Sequence, residues 1–272
     1  MPKSIPVLCG SISSRPSPFG VAMHTAAYQA TGVPFTYVAF GTEHTRQAIL
    51  AMRTLGIRGL GVSMPHKIEI MPYLDALDET AARIGAVNTV LNDDGRLIGY
   101  NTDWIGAVRA LEEKIALPGK RSIVVGAGGA ARAIVYGLVR EGSQVTVYNK
   151  TVNKGEKLAQ DFHVRFGGSL EALNSLEDHD ILVNATSVGF HAPDESVIPA
   201  SALKEGQVVL DVVFIPPTSR LIQEARSRGC TAIPGTRMLV HQAAYQFQLY
   251  TGKPAPFEVM ERALLEKIRE GQ

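Results

Sequence analysis

The sequence predicts an α/β fold in two domains, and three observations lead to this prediction. The chain has 272 residues, of which 45% are apolar and 19% charged, enough to build two buried cores. Short apolar runs alternate with helical patterns through the first hundred residues, as in a mostly parallel sheet. The same alternation begins again after the Pro-Gly pair at 118–119, which is typical of a boundary between domains.

The first domain is predicted over residues 1–104. Its apolar runs IPVLC, PFTYVAF and IRGLGVSM are separated by the helical patterns SPFGVAMHTAAYQATG and TEHTRQAILAMRTLG. Two further β-rich runs then flank Asn92-Asp93-Asp94-Gly95, and the Asp-Gly pair readily adopts the left-handed conformations of a tight turn. We therefore expect a β-hairpin here, followed by a helix at WIGAVRALEEK.

The second domain is predicted over residues 105–236. Helical patterns separate its predicted strands, which are RSIVV, QVTVYN, ILVNATS, QVVLDVVF and TAIPG. Residues 237–272 have the pattern of helices, and one face carries Met238, His241, Ala244 and Tyr245. We expect these C-terminal helices to pack back on the first domain.

Composition argues against several classes of partner. The formal net charge is +1 and basic runs are absent, so neither nucleic acid nor an anionic membrane surface is expected. No apolar run approaches the roughly 18 residues of a membrane span, and the N-terminal apolar stretch is too short for a signal peptide. Only Cys9 and Cys230 occur, which disfavours a disulfide framework. We expect a cytoplasmic monomer or homodimer that binds a small molecule.

A glycine-rich motif lies where the strand RSIVV meets the helix ARAIVYGLVREG. The spacing Gly126-x-Gly128-x-x-Ala131 at such a junction is typical of a Rossmann dinucleotide-binding domain. The first glycine permits the tight turn, the second lets the backbone approach a pyrophosphate, and the helix N-terminus favours an anion. A tight turn without a cofactor is the alternative. The predicted cofactor contacts in this loop are Gly126, Ala127, Gly128, Gly129 and Ala130.

The end of the next predicted strand indicates which dinucleotide is bound. NAD sites have an acidic residue about 20 residues after the first glycine, where it holds the ribose hydroxyls. This chain has Asn149 there, followed by Lys150, Thr151 and Lys154. A carboxylate would repel a 2′-phosphate, whereas two lysines and a hydroxyl would attract one. NADP is therefore favoured, and NAD is the weaker alternative because lysine is a less exacting phosphate ligand than arginine.

Few residues could carry the proton that accompanies hydride transfer. The seven histidines are scattered without ligand spacing, and no metal site is predicted. Lys67 lies where a strand gives way to a helix, and Asp103 follows the hairpin. Ligand clefts form at such strand ends in open α/β sheets, so both are candidates, although either could be a surface charge or a helix cap.

Further segments resemble the shikimate dehydrogenase family. They cover nearly the whole chain in the family's order: SMPHK, LDALDETAARIGAVNTV, DGRLIGYNTDWIG, GAGGAAR, NATSVGF, DVVFIPPTSRLI and GTRMLVHQAAYQFQLYTG. The resemblance implies an NADP-dependent oxidoreductase of the shikimate pathway of aromatic amino acid biosynthesis. Its substrate would be a cyclohexene carboxylate, shikimate or a close analogue, interconverted with 3-dehydroshikimate.

The resemblance also implies roles for individual residues. Lys67 and Asp103 would be the catalytic pair that acts on the hydroxyl destined to become a ketone. Asn88 and Gln242 match substrate-binding positions. The matched positions on the cofactor side are Thr186 and Ser187, in a loop near the nicotinamide that starts at Asn184, and Gly235.

The chain departs from the family on the substrate side. The family's Ser-x-Ser-Pro becomes Arg15-Pro16-Ser17-Pro18, so an arginine replaces the first serine of the carboxylate site. Arg15 could bind the carboxylate or project into solvent, and Ser17 could also cap the helix that starts at Pro18.

Two further departures affect the same side. The family's Asn-Val-Thr is here Gly61-Val62-Ser63, where Ser63 can still bond a ring hydroxyl, and its Tyr-x-Pro is Phe214-Ile215-Pro216. Retained chemistry with an altered substrate side suggests a shikimate dehydrogenase-like paralogue. A quinate or aminoshikimate-type dehydrogenase with weak shikimate activity is one alternative, and a non-catalytic regulatory module that binds cyclohexene carboxylates is another.

Overall fold

The computed structural model describes residues 5–190 and 192–271, which form two compact units. The first unit contains the described residues up to Thr102 together with those from Val240 onward, and the second contains Asp103–Leu239. Each unit is built on a six-stranded sheet with helices packed on it. This confirms the predicted α/β fold class.

The first unit has a mixed sheet. Its strands are β1 (Val7–Ser13), β2 (Phe35–Gly41), β3 (Gly59–Val62), β4 (Ala76–Leu77), β5 (Thr89–Asp93) and β6 (Arg96–Tyr100), in the spatial order β2-β1-β3-β5-β6-β4. The helices between them are α1 (Pro18–Thr31), α2 (Thr45–Thr54), α3 (His66–Glu69) and α4 (Glu79–Ile84). Strand β1 pairs in parallel with β2 and β3, as the alternating pattern predicts, whereas β5 pairs antiparallel with β3 and β6.

The predicted hairpin joins β5 to β6. Asp94 and Gly95 at its tip have φ of 49° and 92°, the left-handed conformations expected of an Asp-Gly turn. The Asn92 side-chain oxygen accepts the Gly95 N–H at 2.8 Å, which closes the turn. Local sequence alone therefore determines this element.

The two faces of β3 differ because successive side chains of a strand point in opposite directions. Leu60 and Val62 are buried in a core that also contains residues of α2. Gly59 and Gly61 face the other way, where a Cβ on Gly59 would overlap the buried ring of Tyr250. These glycines let aromatic side chains approach the strand closely.

The second unit has a fully parallel sheet. Its strands are β7 (Arg121–Val125), β8 (Gln144–Tyr148), β9 (Arg165–Gly168), β10 (Ile181–Asn184), β11 (Val208–Asp211) and β12 (Thr231–Ile233). Its helices include α5 (Asp103–Glu112), α6 (Gly129–Arg140), α7 (Val152–Asp161) and α8 (Arg220–Ser227). The spatial order β9-β8-β7-β10-β11-β12 is that of a Rossmann fold, with its topological switch point between β7 and β10.

Two helices complete the chain: α9 (Gly235–Thr251) and α10 (Phe257–Glu270). Helix α10 packs along α1 and buries Met260, Leu264 and Ile268. The C-terminal helices thus return to the first unit from Val240 onward. None of the helices described here has both the length and the apolar character needed to cross a membrane.

Candidate active site

The glycine-rich loop joins β7 to α6 beside the switch point of the second sheet. Gly126 has φ of 124° and its N–H donates to the Tyr148 carbonyl at 2.8 Å. A Cβ there would lie 3.0 Å from the Ala185 carbonyl oxygen, so both conformation and space require glycine. A Cβ on Gly128 would meet no protein atom within 4 Å. The space above Gly128 is therefore open to a ligand.

The N-terminus of α6 is suited to an anion. Gly128 is the N-cap residue and provides no side-chain cap, and the first N–H groups of a helix have no partner within it. Ala131 is completely buried, which lets α6 pack closely on the sheet as the motif predicts. Gly128, Gly129 and Ala130 can thus direct backbone N–H groups at a phosphate.

The turn after β8 presents two exposed lysines. The Asn149 side-chain amide donates to the Thr151 carbonyl at 2.8 Å and fixes the shape of this turn. Lys150 and Lys154 are exposed, and neither pairs with a carboxylate in the part of the chain that the structure describes. The turn has the donor groups that a 2′-phosphate needs.

A buried network holds the loop that follows β10. The Asn184 amide donates to Asp211 at 2.9 Å, and its oxygen accepts from the N–H and hydroxyl of Thr186 at 3.0 and 2.7 Å. Asp211 also accepts from the Ser219 hydroxyl at 2.5 Å and the Val213 N–H at 3.0 Å. Burial raises the pKa of Asp211, although these hydrogen bonds oppose the shift. The network fixes the segment that leads to Ser187.

Gly235 lies against the backbone that follows Asp211. A Cβ on Gly235 would lie 2.5 Å from the Val212 carbonyl oxygen and 2.6 Å from that of Val213. Phe214, the next residue, packs on Phe190 with ring centroids 5.7 Å apart. The glycine loop, the Asn184 loop and Gly235 therefore gather at the carboxyl ends of neighbouring strands, where α/β sheets bind ligands.

Asn88 is the centre of a buried polar network in the first unit. Its amide donates to the Thr102 hydroxyl at 3.0 Å, and its oxygen accepts the Thr102 N–H at 2.6 Å. The Thr89 hydroxyl donates to the same oxygen at 2.9 Å and accepts from Gln246 of α9 at 2.9 Å. The Val62 N–H donates to the Asn88 carbonyl at 2.7 Å. The network thus links β3, β5 and α9.

Both predicted catalytic residues are attached to this framework through the backbone. The Lys67 carbonyl accepts the Val87 N–H at 2.8 Å, one residue before Asn88. Asp103 directly follows Thr102, begins α5 and is 2% exposed. Lys67 is half-buried, and neither Lys67 nor Asp103 is without an interaction partner.

His66, the other basic residue of the SMPHK segment, has a structural role. It is fully buried, and its Nδ1 lies 2.8 Å from the Thr45 hydroxyl while its Nε2 lies 2.9 Å from the Thr42 carbonyl. The Thr45 hydroxyl also bonds Glu69 at 2.7 Å. His66 therefore fastens α3 to the start of α2, and the adjacent lysine is left as the candidate for chemistry.

The remaining substrate-side candidates lie at the ends of β1 and β3. Arg15, Ser17 and Ser63 are exposed, and the Ser14 N–H donates to the Met64 carbonyl at 3.3 Å, which joins the two loops. Ser17 is the N-cap residue of α1, yet its hydroxyl makes no capping bond. Its hydroxyl and the α1 N-terminus can both face an anion.

Sequence reasoning missed three members of the Asn88 network: Thr89, Thr102 and Gln246. The available signals were small, since Thr102 precedes Asp103 and Gln246 follows Gln242 by one helical turn on the same face of α9. Gln242 itself is half-buried, and its side chain makes no hydrogen bond within residues 5–190 and 192–271.

The second unit is a Rossmann unit with a glycine loop at its switch point, and the first is an α/β unit with a buried polar framework. Together these features are typical of a dinucleotide-dependent enzyme. Three family models match the chain: Shikimate dehydrogenase substrate binding domain at 11–90, Shikimate / quinate 5-dehydrogenase at 109–213 and Shikimate 5'-dehydrogenase C-terminal domain at 235–265. The chain belongs to the shikimate dehydrogenase family, which confirms the resemblance and the expected class of oxidoreductase.

Curated relatives cover almost the whole chain. The shikimate dehydrogenase (NADP(+)) of Geobacillus kaustophilus is 41% identical over 257 residues, which cover 91% of this chain and 93% of that protein. The enzyme of the same name from Thermococcus kodakarensis is 43% identical over 256 residues, which cover 91% of this chain and 92% of that protein. The cofactor named for both relatives is the one that the Asn149 turn predicts for this chain.

Solved structures share the fold throughout. A shikimate dehydrogenase in complex with NADP+ has a TM-score of 0.92 at 38% identity and covers 97% of this chain and 96% of its own. A quinate dehydrogenase from Corynebacterium glutamicum in complex with NAD has a TM-score of 0.89 at 31% identity, covering 96% and 99%. A 5-ketofructose reductase from Gluconobacter has a TM-score of 0.87 at 31% identity, covering 96% and 98%. The fold thus accommodates more than one substrate.

Proposed function

We propose that this protein interconverts shikimate, or a close analogue, and 3-dehydroshikimate in an NADP-dependent hydride transfer. The observation that carries the proposal is the Asn88 framework. It fixes Thr102, the neighbour of Asp103, through two hydrogen bonds of 3.0 and 2.6 Å, while the adjacent Val87 bonds the backbone of Lys67. Two ionisable residues are thereby attached to one rigid buried support, as proton transfer requires.

The residues of the second unit fit NADP. Gly126, Ala127, Gly128, Gly129 and Ala130 would hold the pyrophosphate, and Asn149, Lys150, Thr151 and Lys154 would hold the 2′-phosphate. Thr186, Ser187 and Gly235 would adjoin the nicotinamide. When bound, the nicotinamide supplies the hydride acceptor or donor.

In the proposed reaction, Lys67 carries the proton of the reacting hydroxyl. It takes this proton as the substrate is oxidised and returns it to the carbonyl oxygen on reduction, while Asp103 orients the lysine and balances its charge. Asn88 holds the backbone beside both residues. A half-buried lysine with a buried carboxylate also limits the water that reaches the transferred proton.

The substrate carboxylate would bind at the α1 N-terminus, through Ser17 and Arg15. Ser63, Asn88 and Gln242 would bond ring hydroxyls, and Phe214 would provide an apolar wall where the family has a tyrosine. Because Arg15, Ser63 and Phe214 differ from the family pattern, quinate or an amino analogue is the second candidate substrate.

We further propose that the protein acts in the cytoplasm as a monomer or homodimer, with no membrane or nucleic-acid partner. Its two cysteines are buried and unpaired, as expected in a reducing compartment.

The test is a substrate panel. Purified protein is mixed with shikimate, quinate and an amino analogue, each with NADP and with NAD, and formation of reduced nicotinamide is followed by absorbance. We expect turnover with at least one of these acids, and faster turnover with NADP than with NAD. If every mixture is silent while one acid still raises the melting temperature, the enzyme assignment fails and the regulatory-module alternative is supported.

A further inference from the structure

Gly61 lies opposite the hydroxyl of Tyr37. It pairs with Ser11 across the parallel strands β1 and β3, so the two residues share one face of the sheet. A Cβ on Gly61 would lie 3.1 Å from the Tyr37 hydroxyl oxygen and 3.6 Å from Gln246 Nε2. The Tyr37 hydroxyl thus borders the space in which a side chain at position 61 would begin.

Packing fixes the position of the Tyr37 side chain. Its ring stacks on His24 with centroids 4.3 Å apart and planes 5° from parallel. Gly20 of α1 lies above the ring, where a Cβ would be 3.3 Å from Tyr37 Cε1. Only 5% of Tyr37 is exposed. The hydroxyl is therefore held at a defined point and cannot swing into solvent.

This point adjoins the proposed substrate site. Ser63 lies two residues after Gly61, just beyond the end of β3, and its N–H donates to the Ile12 carbonyl of β1 at 2.9 Å. Gln246, which also borders the space at Gly61, donates to the Thr89 hydroxyl at 2.9 Å and thereby joins the Asn88 network. The Tyr37 hydroxyl, which lies beside Gly61, is thus two residues further from the carboxyl end of β3 than Ser63.

We infer that Tyr37 is a specificity-determining residue: its hydroxyl forms the inner polar floor of the substrate site, where the family pattern has an asparagine at position 61. The inference rests on the proposed function. The Tyr37 hydroxyl extends from β2 and leaves more room above Gly61 than an asparagine amide at position 61 of β3 would. It can both donate to and accept from a substrate hydroxyl. The ligand selected is a cyclic carboxylate whose ring hydroxyl reaches this floor.

The first test compares Tyr37→Phe with Tyr28→Phe. Tyr28 is the matched control, because it is 2% exposed, its ring lies 5.9 Å from the same His24, and its hydroxyl has no partner in the described chain. Each variant is assayed with the best acid of the substrate panel. Tyr37→Phe is expected to raise KM for the acid about 5- to 10-fold, because one hydrogen bond to the substrate is lost. KM for NADP should not change. Tyr28→Phe is expected to leave both KM values unchanged.

The second test is a double-mutant cycle. Gly61→Asn crowds the Tyr37 hydroxyl and should lower kcat/KM in the wild-type background. In the Tyr37→Phe background, where that oxygen is absent, the same substitution should cost several-fold less, because the two positions share one space. Gly61→Ser repeats the cycle with a smaller side chain if Gly61→Asn does not fold.

The outcomes separate the two proposals. Equal effects of Tyr37→Phe and Tyr28→Phe on an active wild-type enzyme, or additive effects in the cycle, would overturn the role of Tyr37 and leave the proposed function intact. Absence of turnover by the wild-type protein with every acid in the panel would overturn both.

Discussion

The buried side chain of His24 should make the first unit less stable in acid. Its ring is fully buried among Tyr37, Tyr250 and Tyr28, at centroid distances of 4.3, 5.8 and 5.9 Å. Neither ring nitrogen has a hydrogen-bond partner of good geometry among the described residues, although the Gln246 amide lies nearby. Burial lowers the pKa of His24 from 6.5 to about 4. The folded unit therefore keeps this histidine neutral.

The direction and size of the effect follow from the two pKa values. In the unfolded chain His24 takes up its proton near pH 6.5, whereas in the folded protein it does so only near pH 4. The unfolded state thus binds more protons between these values, and stability falls as the pH is lowered through this window. The full difference is about 3 kcal/mol, and most of it is lost by pH 4.5.

The measurement is urea unfolding of the wild-type protein and of His24→Phe at pH 7.5 and pH 4.5, followed by circular dichroism. Phenylalanine retains a ring that can stack on Tyr37 but cannot take up a proton. All other titrating groups are common to both proteins, so their effects cancel in the difference. As the pH falls from 7.5 to 4.5, the free energy of unfolding of the variant relative to that of the wild type should rise by about 2 to 3 kcal/mol. A difference that is the same at both pH values would refute the reasoning.

Four further predictions concern the cofactor loop, the catalytic pair, the turn after β8 and the packing of β3. Gly128→Ala should leave the melting temperature unchanged, because its Cβ meets no atom within 4 Å, yet weaken NADP binding measured by fluorescence titration; unchanged affinity would contradict the pyrophosphate assignment. Lys67→Ala should lower kcat about 100-fold or more at an unchanged melting temperature. If the variant turns over as fast as the wild-type enzyme, Lys67 has no role in the mechanism. Replacing Lys150 and Lys154 by Ala should raise KM for NADP about tenfold more than KM for NAD, whereas equal weakening would exclude a 2′-phosphate contact. Gly59→Ala should lower the free energy of unfolding by about 1–3 kcal/mol, since its Cβ would overlap the Tyr250 ring. The measurement is unfolding in urea, and an unchanged free energy of unfolding would show that the ring can move aside.

Features that depend on local sequence could be predicted well. The hairpin at Asp94-Gly95 follows from turn preferences, and the loop at Gly126 follows from the backbone conformation that it needs. The alternation of apolar runs and helical patterns is enough to predict two α/β units. Each of these signals lies within a short stretch of chain, where one or two residues decide the conformation.

Features that depend on packing between distant segments could not be predicted. Gly61, Tyr37 and Gln246 come from three separate elements, and their proximity exists only after β2, β3 and α9 have packed together. Gly59 would weaken an isolated strand, and its reason for being there is the ring of Tyr250, far away in the sequence. Similarly, nothing local separates His66 from Lys67 until the partners of His66 in and before α2 are known.

The most direct test of the central claim is hydride transfer itself. The wild-type protein is given NADP and the preferred acid of the panel, deuterated at the carbon whose hydroxyl is oxidised. We predict a slower reaction than with the unlabelled acid whenever the chemical step limits the rate, and deuterium recovered in the NADPH. Formation of NADPH without deuterium, or no NADPH from any acid, would contradict the proposed reaction.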